Sequence, residues 1–128
     1  MRRILLALAF LAAPAAHAAT CNDNSSQMEL NQCAADDLAK ADAALNATYQ
    51  ALMKKIEAPN QAQLREAQRA WIAFRDKECT FETGGGANQG GSIWPMMVDK
   101  CLTTITEERT RALQSQVKCP GWDLSCPG

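Results

Sequence analysis

Residues 61–83 read QAQLREAQRAWIAFRDKECTFET, and this stretch decides the fold class of the chain. Its apolar residues recur in steps of three and four, which is the spacing of one face of an α-helix. The positions on this predicted inward face are Leu64, Ala67, Trp71, Phe74, Glu78 and Phe81. Three glycines, Gly84 to Gly86, follow at once and end the pattern. The stretch therefore predicts a helix that begins near Gln61 and ends before Gly84.

A second amphipathic segment precedes this stretch. Ser26, with Glu29 three residues later, forms the capping-box pattern that is typical of a helix start. The segment Ala58-Pro59-Asn60 is expected to break the helix, because proline disfavours helical geometry in the residue before it. We therefore expect a first helix that runs from the capping box to about Glu57. Its predicted inward positions are Leu38, Asp42, Leu45, Tyr49, Leu52 and Ile56.

A third helix is predicted after a glycine-rich loop at residues 84–91. Ser92 can cap this helix, Pro95 is tolerated in its first turn, and the pattern runs to about Gln116. Its predicted inward positions are Val98, Cys101 or Leu102, Ile105, Arg109 and Ala112. Alanine and leucine far outnumber valine and isoleucine, which also favours helix over strand. The sequence predicts an all-α fold, a small antiparallel bundle of about three helices.

The first eighteen residues have the features of a secretory signal peptide. Arg2 and Arg3 precede an apolar run from Ile4 to Ala13, and Ala16-His17-Ala18 supplies the small residues expected before a cleavage site. We expect residues 1–18 to be the signal, residues 19–116 the helical domain and residues 117–128 a disulfide-clamped tail. The protein is therefore expected in the periplasm or outside the cell.

Cleavage after residue 18 changes the composition in a way that excludes several functions. Removing Arg2 and Arg3 leaves 11 basic against 14 acidic side chains, a net charge of −3, and His17 is lost as well. This charge argues against nucleic-acid binding. Without histidine, the Ser-His-Asp triad, the Cys-His dyad and histidine zinc sites are excluded. No later apolar run reaches the ~20 residues of a membrane span. We expect neither a cofactor nor enzymatic activity, and rank a carboxylate-based hydrolase last.

All six cysteines lie in the exported part, and an even number in a small secreted chain is typical of disulfides. Many pairings are possible, but local geometry ranks them. The two cysteines of the tail flank a Pro-Gly turn, two others fall near facing helix ends, and the first can fold back to the second. We expect no metal site, because the chain has no C-x-x-C pair. The favoured pairs are Cys21 with Cys33, Cys79 with Cys101 and Cys119 with Cys126.

Charged residues interrupt the predicted inward faces of two helices, which we call their apolar stripes. Asp42 lies in the first and Arg109 in the third, while Arg75 borders the second. A charge that faces another helix must be paired, so we expect Asp42 to contact Arg75, Arg109 or both. Asn46 and Gln68 lie beside these positions and can complete the hydrogen bonds. We interpret the five residues as a structural network that fixes the register of the helices, with a recognition or catalytic site as the alternative.

The glycine-rich loop offers a second candidate site. Long loops carry function more often than helical faces do, and the large side chains of Trp94, Met96 and Met97 follow this loop directly. The alternative is a connector in which Ser92 only caps a helix. The candidate binding residues are Gly90, Gly91, Ser92 and Trp94.

One ordered set of residues is more specific than any single motif. It contains the pattern Gln68-x-x-Trp71-x-x-x-Arg75-Asp76-x-x-Cys79 and, downstream, Gly90-Gly91-Ser92. The set resembles the lysozyme-inhibitor LprI-like family of small exported bacterial proteins over roughly residues 21–113. Its other members are Ser26 to Cys33, Asp42, Leu45, Asn46, Tyr49, Cys101, Thr106 and Arg109.

This resemblance implies an α-helical, disulfide-linked domain without catalytic activity. The family takes its name from a mycobacterial lipoprotein that inhibits animal-type lysozymes. The resemblance therefore implies a protein partner, either a lysozyme whose cleft the protein occludes or another wall-degrading enzyme. The alternative hypothesis is an accessory or immunity module that binds a different protein of the cell envelope.

Overall fold

The computed structural model describes residues 21–22, 24–85, 90–121 and 123–126. Within these ranges the regular structure is entirely helical, so the predicted all-α class is confirmed. The predicted signal peptide lies outside the described residues and stays a prediction. The elements are α1 at Gln27–Lys55, α2 at Ala58–Glu82, a 3₁₀ turn at Gly91–Ile93, and α3 at Trp94–Lys118.

The start of α1 is the capping box that the sequence predicts. The backbone N–H of Glu29 donates to the Ser26 hydroxyl at 3.4 Å, and the backbone N–H of Ser26 donates to the Glu29 carboxylate at 2.7 Å. These hydrogen bonds from Ser26 lower the pKa of Glu29 below its ordinary value. The stabilising cap is therefore retained at moderately acidic pH, and it is lost only as the pH falls through that lowered pKa.

The break between α1 and α2 lies earlier than predicted. Ile56 and Glu57 have extended backbone, whereas Ala58, Pro59 and Asn60 already belong to α2. The expectation that these three residues interrupt the helices was wrong, because proline in the first turn gives up an N–H that has no helical partner. The result is a two-residue connection that turns the chain back on itself.

Side chains close this turn end of the bundle. The Gln61 amide donates to the carbonyls of Met53 at 2.8 Å and Ile56 at 3.0 Å, so two acceptors at the end of α1 are satisfied. The Lys55 ammonium donates to the carbonyl of Val117 at 2.7 Å, near the end of α3. All three helices are therefore tied together at this end.

Consecutive helices run antiparallel, while α1 and α3 run parallel and share the larger contact. Gln27 meets Met96 near the start of both helices, and Lys55 meets Val117 near the end of both. Cys79, near the end of α2, is joined to Cys101 in the first part of α3, so α2 runs antiparallel to α3. The apolar core lies toward the turn end, with Tyr49, Met53, Trp71 and Val117 packed against it. The core consists of Leu45, Leu52, Ile56, Leu64 and Leu113.

The inward face of α2 is rotated relative to the prediction. Ala67 is exposed, and Phe74 and Phe81 are 54% and 80% exposed, whereas Arg75 and Cys79 face the other helices. The disulfide of Cys79 to α3 explains the rotation. A residue two positions further along a helix points about 200° away, so a buried Cys79 directs Phe81 into solvent.

The third helix also differs from the prediction at its start and on its inward face. Ser92 lies in the 3₁₀ turn, and α3 follows Ile93 without a side-chain cap. Thr106 and Thr110 are buried, whereas Ala112 is exposed. Thr110 can be buried because its hydroxyl donates to the Thr106 carbonyl at 2.9 Å.

The favoured disulfide pairing is confirmed. The Cα atoms lie 6.2 Å apart in the first bridge and 5.7 Å apart in the other two, which is within the range for disulfides. No cysteine is free among the described residues. Three bridges in a chain of this size indicate an oxidising compartment. The pairs are Cys21 with Cys33, Cys79 with Cys101 and Cys119 with Cys126.

Candidate functional site

The polar cluster predicted from the stripes is centred on Arg75. One guanidinium nitrogen, Nη1, donates to the Asp42 carboxylate at 3.1 Å and to the Thr106 hydroxyl at 3.2 Å, and Nε donates to Asp76 at 3.1 Å. The Arg75 side chain is only 15% exposed, but that of Asp42 is 50% exposed, so solvent weakens this ion pair. Of the two partners predicted for Asp42, the structure places Arg75 in contact.

Arg109 takes a different partner. Its Nε donates to the Gln68 amide oxygen at 3.1 Å, and within the described ranges no carboxylate forms an ion pair with it. Partial burial lowers the pKa of Arg109, although a guanidinium remains charged at neutral pH. The guanidinium carbons of Arg75 and Arg109 lie 5.3 and 6.0 Å from the centre of the Trp71 ring, within cation–π distance. The cluster thus links all three helices through Trp71.

A groove runs beside this cluster, between α1 and α2. Its volume is about 300 Å³, and it opens to solvent. Asn46 lines the groove, but its side chain forms no hydrogen bond with any part of the chain that the structure describes, so it does not complete the network as the sequence suggested. We call this feature the Trp71 groove. It is lined by Asp42, Leu45, Asn46, Tyr49, Gln68, Trp71, Ile72 and Arg75.

The candidate binding residues after the glycine-rich loop have structural contacts of their own. Gly90 has φ +98°, and a Cβ there would lie 2.7 Å from Cδ1 of Trp94. The Ser92 carbonyl accepts a hydrogen bond from the Asn31 amide at 2.9 Å, which fixes the segment to α1. Trp94 is half-buried, and its indole N–H has no partner among the described residues. The Gly-Gly-Ser signature therefore anchors this segment, although Gly90, Gly91 and Ser92 are all exposed.

Replacing Gly90 by alanine is expected to lower the free energy of unfolding by about 2 kcal/mol. The alanine would be held in a left-handed backbone conformation, and its Cβ would collide with Trp94. Gly91→Ala is the matched control, because φ there is also positive at +65° but no atom lies within 4 Å of the added Cβ. We expect Gly91→Ala to lower the free energy of unfolding by about 1 kcal/mol. Urea denaturation compares the two variants, and equal losses would show that the Trp94 contact contributes nothing.

Four exposed apolar side chains belong to the segments that meet at the end of the bundle opposite the turn. This end contains the start of α1, the end of α2 and the start of α3. Two disulfides, Cys21 with Cys33 and Cys79 with Cys101, tie its segments together. We call these four residues the loop-end surface. They are Met28 at 79% exposure, Phe81 at 80%, Ile93 at 46% and Met97 at 47%.

Of these four residues, only Met97 was a candidate from the sequence. The apolar spacing of α2 predicts Phe81 in the core, and no pattern in the sequence distinguishes Met28 or Ile93. A usable signal existed for Phe81, since it follows a predicted disulfide cysteine by two positions and must point away from it. Exposed carboxylates, Glu29 and Glu82, lie at the same end of the bundle. The loop-end surface is thus apolar, with acidic neighbours and one basic neighbour, Lys100, which lines a pocket with Met97 and Glu82.

Metal ligation has one geometric candidate in the described ranges. Oxygen or sulfur atoms of Cys119, Asp123 and Cys126 lie within 4.8 Å of one another. The two sulfurs are joined in a disulfide, so neither is a thiolate that could bind an ion. The Asp123 carboxylate accepts hydrogen bonds from Ser125, which lower its pKa.

Among the described helices, none has the length and apolar character to span a membrane.

A three-helix domain with three disulfides is a small domain suited to an oxidising compartment. The sequence signature of the family described as lysozyme inhibitor LprI matches residues 19–113. An uncharacterized protein of Rhizobium meliloti (strain 1021) is 38% identical over 107 residues, covering 73% of this chain and 76% of the relative. The chain belongs to the lysozyme inhibitor LprI family. No solved structure was found to match it.

Proposed function

We propose that this protein is an exported, non-enzymatic inhibitor that occludes the cleft of a lysozyme with its loop-end surface. The observation that carries the proposal is the exposure of four apolar side chains, Met28, Phe81, Ile93 and Met97, on the segments that meet at one end of the bundle. Membership in the family supports the class of target. The absence of histidine from residues 19–128 supports a role in binding rather than catalysis.

The loop-end surface has the composition of a protein interface. Exposed methionine and aromatic side chains are enriched at such interfaces, where they fill pockets of the partner and exclude water. Disulfides on either side restrain the surface before binding, which lowers the entropic cost of association.

Electrostatics support a cationic partner. Residues 19–128 carry a net charge of −3, with 11 basic and 14 acidic side chains. Glu29 and Glu82 are exposed beside the apolar residues, and the lowered pKa of Glu29 keeps its charge at mildly acidic pH. Opposite charge mainly raises the rate of encounter, so it would assist an inhibitor that must compete with substrate.

The test compares inhibition of cell-wall lysis by the wild-type protein and by the double variant Ile93→Ser, Met97→Gln. These changes remove apolar contacts without changing the net charge, and serine is a good helix cap at position 93. We expect the inhibitor concentration for half-maximal lysis to rise about 100-fold, as for the loss of two central contacts.

Phe74→Gln is the matched control, because Phe74 is exposed to a similar degree on the middle of α2. We expect this variant to inhibit like the wild type. Lysozymes of several classes that remain fully active at saturating wild-type protein would overturn the proposal. In that case the loop-end surface would serve another envelope protein, as the alternative hypothesis holds.

A further inference from the structure

The Trp71 groove contains polar groups that the structural network does not use. Neither the Asn46 amide nor the Tyr49 hydroxyl forms a hydrogen bond within the described part of the chain, and the Gln68 amide nitrogen is likewise uncommitted. A purely structural cluster needs none of these groups to face the same opening. The volume of the Trp71 groove, about 300 Å³, is at the lower end of the range for small-molecule sites and suits a ligand of one ring.

The groove combines an apolar wall with a polar rim. Trp71 and Tyr49 are half-buried, Ile72 is 42% exposed, and the buried Leu45 lies at the base. Because the guanidinium groups of Arg75 and Arg109 already lie over the Trp71 ring, Tyr49 is the aromatic side chain whose face is available for stacking. Amide side chains can both donate and accept hydrogen bonds. The rim consists of Asp42, Asn46, Gln68 and Arg75.

The charges of the rim cancel. Arg75 is paired with Asp42 and with Asp76, both at 3.1 Å, and also donates to Thr106, so carboxylates of the chain already balance its charge. A purely apolar ligand would displace the water that forms hydrogen bonds with Asp42 and Asn46 and would offer no hydrogen bonds in its place, which is costly. The groove therefore favours a neutral ligand with an apolar face and with donors and acceptors around its edge.

A sugar ring has this combination, since its C–H groups form an apolar face and its hydroxyls both donate and accept. We propose that the Trp71 groove binds one ring of a neutral saccharide. The site is formed by the middle of α1 and α2 and is separate from the loop-end surface, which lies at the bundle end. Saccharide binding therefore does not depend on the proposed docking to a lysozyme.

The test is titration of the intact protein with the N-acetylglucosamine trimer, a neutral saccharide, followed by two-dimensional NMR of the backbone amides. We expect saturable shifts confined to residues around the groove, with a Kd on the order of 1 mM. The variant Asn46→Ala should raise the Kd about tenfold, because it removes hydrogen bonds to the ligand only. The matched control is Gln50→Ala, one turn further along α1, also exposed and outside the groove.

Saturable binding of the trimer that Asn46→Ala weakens and Gln50→Ala leaves unchanged supports the proposal. A parallel sedimentation assay with insoluble peptidoglycan identifies the source of the saccharide: co-sedimentation indicates wall glycan, and its absence with trimer binding indicates a free sugar. No saturable shift, equal effects of the two variants, or tighter binding of an anionic sugar acid would overturn it. Ile93→Ser, Met97→Gln should bind the trimer normally, so failure of lysozyme inhibition is distinguishable from failure of this site.

Discussion

Removing the disulfide between Cys79 and Cys101 is expected to lower the free energy of unfolding by about 3 kcal/mol. The two cysteines are separated by 22 positions, so the bridge closes a sizeable loop and restrains the unfolded chain. It also attaches α2 to α3, and the side chain of Cys79 is almost fully buried at 1% exposure. Denaturant unfolding of the double variant Cys79→Ala, Cys101→Ala measures the effect.

The matched control is the double variant Cys119→Ala, Cys126→Ala. This bridge spans only 7 positions and lies in the tail after α3, where it crosses no contact between helices. We expect a loss of less than about 1 kcal/mol, since most of the constraint applies to a segment with few native contacts. Equal losses from the two double variants would show that attachment of α2 to α3 adds no stability.

Replacing Leu113 by alanine is the second change with a large expected effect, a loss of about 3 kcal/mol in the free energy of unfolding. Leu113 has no exposed surface and belongs to the apolar core at the turn end. Alanine would leave a cavity that long, disulfide-restrained helices cannot close completely.

Leu124→Ala serves as the control for the same chemical change at an exposed site. Leu124 is fully exposed in the tail, so its loss should change the free energy of unfolding by less than about 0.5 kcal/mol. Calorimetry or urea denaturation gives both values. A loss of under about 1 kcal/mol for Leu113→Ala would contradict the assignment of the core to this end of the bundle.

The helices and the disulfide pairs could be predicted from the sequence because both depend on local spacing. Apolar steps of three and four define a helix wherever it packs, and the capping box marks its start without reference to other segments. The favoured pairs join cysteines that local turns can bring together. The start of α2 at Ala58 was missed, since proline is equally compatible with a break and with a first helical turn.

The rotation of α2 could not be read from periodicity alone. Two lines of residues on α2 have helical spacing and share Trp71: one continues through Phe74 and Phe81, the other through Arg75 and Cys79. The apolar content favours the first line, but the contacts to α1 and α3 select the second. Tertiary pairing of one charge and one disulfide thus outweighs the burial of two phenylalanines.

The candidate site could be predicted from the sequence only in part. The pairing of Asp42 with Arg75 follows from opposite charges on facing stripes, which the sequence displays. The Trp71 groove depends on how far α1 and α2 stand apart, and no residue pattern encodes that distance. The exposure of Met28 and Ile93 likewise depends on which segments end together at one end of the bundle.

The order of the disulfides has a consequence for biogenesis. Each bridge joins two cysteines that are consecutive in the chain: first with second, third with fourth, fifth with sixth. A chain that crosses a membrane N-terminus first presents each pair before the next one emerges. An oxidase that pairs thiols in order of appearance therefore produces the native connectivity directly, and maturation has no need of disulfide isomerisation.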